Sequence, residues 1–224
     1  MTTSESLTAH FKELHAERVR TLDPVKLEKN IRTRADLVAS FDPAKIAQVG
    51  DVLDPVDLTL SDGTRTSLDA LLEDGATLLI FFRSAGCPAC NLALPYYDRQ
   101  VRPALDKVGI RLVAVSPQLP ERGLSEIKIR HGLGFPIASD RDNVLARRLG
   151  ITYAKDEVPQ GVQTPGWTGD FTGTGTAELP QPAVVLIDQD RTIRFIDVSP
   201  DWLVRTEAPA ILAAAELSSA PASA

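Results

Sequence analysis

Hydrophobic positions along this chain change period near residue 50. Before it, Leu7, Phe11 and Leu14 recur at helical spacing with charged residues between them, which predicts an amphipathic helix. A second helix is predicted after Asp23-Pro24 and running to about residue 40, because Asp23 can cap and Pro24 suits the first helical position. A shorter one follows Asp42-Pro43 on the same logic. Residues 1–48 therefore read as a helical extension, packed on or swapped around the main domain.

From Val52 the alternation is that of strands. Val56, Leu58 and Leu60 alternate with polar residues before an Asp62-Gly63 turn. Ser67 caps a short helix through Leu72, and Gly75 ends it. Continuous apolar runs at 77–82 and 110–116 read as buried strands, and 135–138 as a short one. Helices are predicted over 88–108, 121–131 and 140–149. The segment 153–182 is rich in Gly, Thr and Pro and reads as a long irregular loop, with Trp167 and Phe171 either covering a site or anchoring the loop. Strands at 183–187 and 192–198 flank a turn, Trp202 and Leu203 read as packing or dimer-face residues, and a last helix spans about 207–217. Strands alternating with helices, then a hairpin and a terminal helix, define an α/β fold with a mixed central sheet flanked by helices. The expected organisation is the extension at 1–48, one domain at 49–217 and a fraying tail at 218–224.

Charge and length narrow the function. The 224 residues carry 24 basic and 30 acidic side chains, a net charge of −6. Nucleic acid and anionic membrane are poor partners for such a balance, and no apolar run approaches the roughly 20 residues of a membrane span. The N-terminal 20 residues hold no continuous apolar stretch of the signal-peptide type, so the expected compartment is the cytoplasm. His10 and His15 are five apart and fall on different helix faces, against metal ligation.

The two cysteines change the picture most. Cys87-Pro-Ala-Cys90 directly follows a buried strand and opens a helix. Unpaired N–H groups and partial positive charge at a helix start stabilise a thiolate. Pro88 fits the first turn, and the spacing puts both sulfurs on one helix face, close enough for a small disulfide. Cys87, nearer the helix start, is the expected nucleophile, and Cys90 the more buried resolving thiol. With no second Cys pair, a zinc site is not expected. In a reducing compartment a lone pair in this context points to redox chemistry.

The layout of strand, C-x-x-C, helix, then a late Pro and a hairpin resembles the thioredoxin superfamily, with Pro95 in the cysteine helix and Pro182 placed like its cis-proline. More specifically, the chain resembles the peroxiredoxin-like branch of the alkyl hydroperoxide reductase/thiol-specific antioxidant family. The resemblance rests on Gly50-Asp51, VDLTL at 56–60, LIFFRSAGCPACNLAL at 79–94, VAVSPQ at 113–118, FPI at 135–137 and LPQPAVVLID at 179–188, and it covers roughly residues 40–215. Two positions depart from the peroxiredoxin pattern. Ser84 fills its Thr/Ser position, but Ile80 stands in place of its Pro and Pro182 in place of its Arg. Arg83 is either a partial substitute for that Arg or a solvated, ion-paired residue at a strand end.

The resemblance implies a thioredoxin-like fold, no cofactor, a hydroperoxide substrate, reduction by an external dithiol such as a thioredoxin-like protein, and a homodimer. It implies that Cys87 and Cys90 are catalytic, with Ser84, Arg83, Gly86 and Pro182 as candidate substrate-binding residues. A second function stays open: thiol–disulfide exchange, in which the Pro182 backbone pairs with an extended disulfide substrate. A non-enzymatic redox sensor is the third.

Overall fold

The structure, a computed structural model, describes residues 5–154 and 167–219. The tail from 220 and the part of the 153–182 segment at 155–166 lie outside the described residues. In chain order the elements are α1 (Leu7–Thr21), α2 (Pro24–Ala39), β1 (Asp57–Leu60), β2 (Arg65–Ser67), α3 (Leu68–Leu72), β3 (Thr77–Phe81), α4 (Pro88–Gln100) and α5 (Arg102–Lys107). They continue with β4 (Arg111–Ser116), α6 (Glu126–His131), β5 (Ile137–Ser139), α7 (Val144–Arg148), β6 (Thr152–Ala154), α8 (Thr168–Thr172), β7 (Glu178–Pro180), β8 (Ala183–Ile187), β9 (Ile193–Val198) and α9 (Ala208–Ser219).

Seven strands form one mixed sheet in the order β2-β1-β5-β4-β3-β8-β9, parallel across β5, β4 and β3 and antiparallel elsewhere. The central strands are apolar without alternation because both faces are covered. Leu78 and Ile80 of β3 face a layer holding α1, α4, α5, α6 and α9, while Leu79 and Phe81 face α3 and α7. Each such side chain stabilises the fold by about 1.5–3 kcal/mol. The result is a three-layer, thioredoxin-like α/β/α domain, with the cysteine helix α4 emerging from the middle of the sheet.

Several predicted helices are broken by their own residues. The span 88–108 divides at Val101, because Pro103 has no N–H to continue the ladder and suits the first turn of the following helix, α5. The span 121–131 becomes a short turn and α6, separated by Gly123 at φ 77°. The span 140–149 begins with Asp142 and Asn143 in left-handed conformations, which delay α7 to Val144. The segment 153–182 is not a plain loop. Its described residues include α8 and a β6–β7 ladder pairing Thr152 with Pro180 and Tyr153 with Leu179.

The N-terminal helices pack on the domain of their own chain. Leu7 and Phe11 enter the core beneath α4. The start of α1 is held by Glu207, whose carboxylate accepts from the Leu7 N–H at 3.1 Å, the Thr8 N–H at 2.8 Å, the Ser6 hydroxyl at 3.1 Å and the Tyr96 hydroxyl at 2.8 Å. Burial would raise the Glu207 carboxyl, but these donors outweigh it and pull it down to about 2. Arg34 of α2 grips Asp201 with two bonds of 2.6 and 2.7 Å. Both clamps act on the segment between β9 and α9.

Candidate active site

Cys87 is the N-cap of α4. Its backbone is extended (φ −75°, ψ 118°), and its sulfur accepts the Cys90 N–H at 3.4 Å. The chain stops being a strand here because β3 ends beside the turn 83–87, which is tied down from three sides. Phe82 N–H donates to Val115 O at 2.9 Å, the Ser116 hydroxyl to Arg83 O at 3.2 Å, and Ala85 N–H to Gln118 Oε1 at 2.8 Å. Asn91, one turn along α4, donates to Ala85 O and Cys87 O at 2.8 and 2.9 Å. Asn91 Oδ1 is in turn held by Arg130 and His131, each at 2.8 Å. Because Oδ1 can only accept, His131 presents an N–H at Nε2.

Both sulfurs are thiols buried in the helix layer, Cys87 at 6% exposure and Cys90 at 0%. Their environments differ in charge. Arg83 Nη2 lies 3.1 Å from Cys87 Sγ, and the same guanidinium stacks 4.6 Å over the Trp202 ring. Arg205, 6% exposed, places Nη2 3.5 Å from Cys90 Sγ and lies 5.8 Å from the Phe11 ring. Arg18 of α1 adds a third positive charge that interacts with Cys87.

The Cys87 thiol is held well below its ordinary range, first by a hydrogen bond from the Cys90 thiol and then, against burial, by Arg83 and Arg205. Cys90 is pushed well above its ordinary range by burial and by the neighbouring Cys87. One acid and one base thus stand side by side. Arg83 itself is favoured as a cation: burial opposes the charge, but Cys87 outweighs it. Tyr153, buried near Arg83, has its phenol raised by burial.

A pocket of about 250 Å³ opens onto Cys87, lined by Arg83, Ser84, Gly86, Thr168, Phe171, Thr172 and Leu179. Phe171 closes one wall, and Gly86 lets its ring come close, since a Cβ there would lie within 2.7 Å of it. Trp167 instead packs over Gly169 and does not line this pocket. Trp202 and Leu203 are buried packing residues.

Of the substrate-binding candidates, Arg83, Ser84 and Gly86 converge on Cys87, and Pro182 does not. Among the described residues no peptide bond is cis, and Pro182 is buried away from the pocket. Its carbonyl accepts from Ser199 N–H at 2.8 Å, and the preceding Gln181 N–H donates to Ile151 O at 2.7 Å. Of the expected backbone edge for an extended substrate, the Pro182 carbonyl and the Gln181 N–H are therefore already paired within the fold, because the hairpin and the β6–β7 ladder extend past it. The sequence reading missed Arg205, Arg18, Gln118 and Asn91. Only Asn91 carried a usable signal, being polar and one turn beyond Cys87 on the same face. The others reach the site through long-range packing.

The fold is thioredoxin-like, and it carries a charged cysteine pair at the start of α4. Residues 49–196 match the AhpC/TSA family, and the chain belongs to it. It is thereby an enzyme of the peroxiredoxin-like, thiol-peroxidase class. No curated protein matches the chain as a whole at a significant level. Its fold is similar to that of the peroxidoxin BcpB from Mycobacterium tuberculosis, at 20% identity and TM-score 0.58 over 76% of this chain and 97% of that one. Peroxiredoxin Q from Xanthomonas campestris superposes at 20% identity and TM-score 0.55, covering 74% and 92%. Peroxiredoxin 6 of Arenicola marina does so at 20% and 0.58, covering 76% and 72%. Among the described residues, no helix is long and apolar enough to cross a membrane, and no cluster of three or more His, Cys, Asp or Glu could hold a metal ion.

Proposed function

We propose that Cys87 is the peroxidatic thiolate of a dithiol peroxidase and Cys90 its resolving partner. The observation that carries this reading is the Arg83 guanidinium 3.1 Å from Cys87 Sγ at the edge of a small pocket. The Cys87 thiolate attacks the terminal oxygen of a hydroperoxide. An S–O bond forms, the O–O bond breaks, and the departing alkoxide or hydroxide takes up a proton. Arg83 and Ser84 stand where that developing negative charge would lie. Cys90 then displaces hydroxide from the sulfenic acid to close the C-x-x-C disulfide. An external dithiol protein of the thioredoxin type reopens it, in a reducing cytoplasm. The resemblance also favours a homodimer.

Disulfide exchange at Cys87 is the alternative, and the occupied backbone around Pro182 weighs against it. Mixing the reduced protein with hydrogen peroxide, an organic hydroperoxide and a disulfide in parallel separates the two. Peroxide oxidation of Cys87 far faster than that of a free thiol is expected. Oxidation no faster, alongside rapid reaction with the disulfide, would overturn the peroxidase reading. With Cys90→Ser, Cys87 is expected to accumulate as a trappable sulfenic acid. Failure to do so would reverse the assigned order of the two thiols.

A further inference from the structure

Arg205 lies outside the peroxide pocket yet touches a sulfur. It follows β9 by seven residues, is buried at 6% exposure, and is reached only through tertiary packing. Its Nε–H donates to Trp202 O at 3.4 Å, Nη2 to Cys90 Sγ at 3.5 Å, and Nη1 is buried with no partner. Among the described residues no carboxylate pairs with it. A buried guanidinium with no carboxylate partner is costly; besides Cys87, whose charge it also supports, the sulfur it touches is the group there that can become an anion. Arg83, by contrast, lines the pocket and contacts Cys87.

We infer that the two arginines divide the two thiol steps: Arg83 serves peroxide attack at Cys87, and Arg205 is a catalytic residue of disulfide closure, stabilising the Cys90 thiolate. For its peroxide arm this rests on the peroxidase reading above. The charge sequence explains why a second cation is needed. In the dithiol, Cys87 holds the negative charge and Cys90 keeps its proton. Once Cys87 is a neutral sulfenic acid, that charge is gone, and the buried Cys90 must ionise to react. Its proton leaves, its sulfur attacks Cys87 Sγ, the S–S bond forms and the S–O bond breaks. The hydroxide released takes the proton to give water, so no further oxidant is consumed. Arg205 stands at Cys90 Sγ for that interval, and its lack of pocket access keeps it from the peroxide.

The test measures both steps in Arg205→Met and Arg205→Lys. An aromatic disulfide reagent that releases a coloured thiolate reports them without peroxide: the first equivalent marks Cys87 attack, the second Cys90 resolution of the mixed disulfide. In parallel, peroxide-treated protein is assayed for sulfenic acid with a carbon nucleophile. R205M is expected to slow the second step by about tenfold to a hundredfold more than the first, as for loss of a charge-assisted hydrogen bond. Sulfenic acid should accumulate, and R205K should restore part of the loss. Equal slowing of both steps, or an unaffected second step, would overturn the inference. If R205M does not fold, as read by circular dichroism, R205K is judged on the same ratio of steps. If the wild-type protein ignores peroxide but shows the two-step release, the peroxidase reading fails while the role of Arg205 is still decided by the second equivalent.

Discussion

Replacing Arg83 with Met removes the charge nearest Cys87 while keeping most of the side chain's apolar length. At 3.1 Å the contact would be worth about 5 kcal/mol for two unit charges at an effective dielectric near 20, a ceiling because solvent and relaxation intervene. Opposite charges this close shift a pKa by about 1–3 units in practice, or about 1.4–4 kcal/mol. The Cys90 thiol and N–H, Arg205 and the helix start remain in the variant, so the Cys87 midpoint is expected to rise without losing all of its depression. The assay is the pH dependence of Cys87 alkylation, with the modified residue located by fragmentation mass spectrometry. A thiolate of higher pKa is intrinsically more nucleophilic, with a Brønsted slope of about 0.4–0.5. The two profiles should therefore cross: R83M reacts more slowly below the wild-type midpoint and severalfold faster above its own. An unchanged midpoint, or a uniform drop without crossing, would refute the view that Arg83 acts through the thiolate's charge.

Three other outcomes follow from the same geometry. Gly86→Ala brings a Cβ to 2.7 Å from Phe171, so the ring must move; peroxide oxidation of Cys87 should change while folding stability does not, and the double variant with Phe171→Ala should relieve the effect. Glu207→Ala should cost about 1–3 kcal/mol after allowing for its partial exposure, a fall of about 2–12 °C in Tm. Because the folded Glu207 carboxyl is depressed to about 2 from a usual 4.5, its stabilisation is fully present above 4.5 and is lost as pH falls towards 2. The wild-type minus variant difference in chemical denaturation should therefore shrink over that window, and a constant difference would contradict the clamp. Leu79→Ala, fully buried in β3, should destabilise by about 2–5 kcal/mol in the same assay without altering the alkylation midpoint of Cys87, since Leu79 faces the opposite layer from the cysteines.

The helical extension is linked to the chemistry through the segment it clamps. Arg34 holds Asp201, and Glu207 holds the start of α1. Between those two residues lie Trp202, whose ring carries Arg83, and Arg205, which reaches Cys90. Phe11 of α1 lies beside Arg205. Loosening either clamp should therefore alter thiol reactivity as well as stability.

The sequence alone determined whatever is local. The caps Ser67 and Asp23, the both-sided apolar run of β3, and the Cys87 sulfur at the start of α4 were all legible, because capping, burial pattern and helix-start electrostatics act within a few residues. Helix breaks at Val101 and at Asp142–Asn143 were not read, because hydrophobic period outlasts a local change of backbone. Only the tertiary structure decided what surrounds the sulfurs. Arg83 was two-sided in sequence and is committed by its distance to Cys87 and its stacking on Trp202. Pro182 looked like a substrate edge, and the hairpin and the neighbouring β6–β7 segment already pair its carbonyl and the Gln181 N–H. Arg205 lies 115 residues beyond Cys90, and no pattern along the chain links them. The pair of cysteines is a local fact; the different charge beside each belongs to packing.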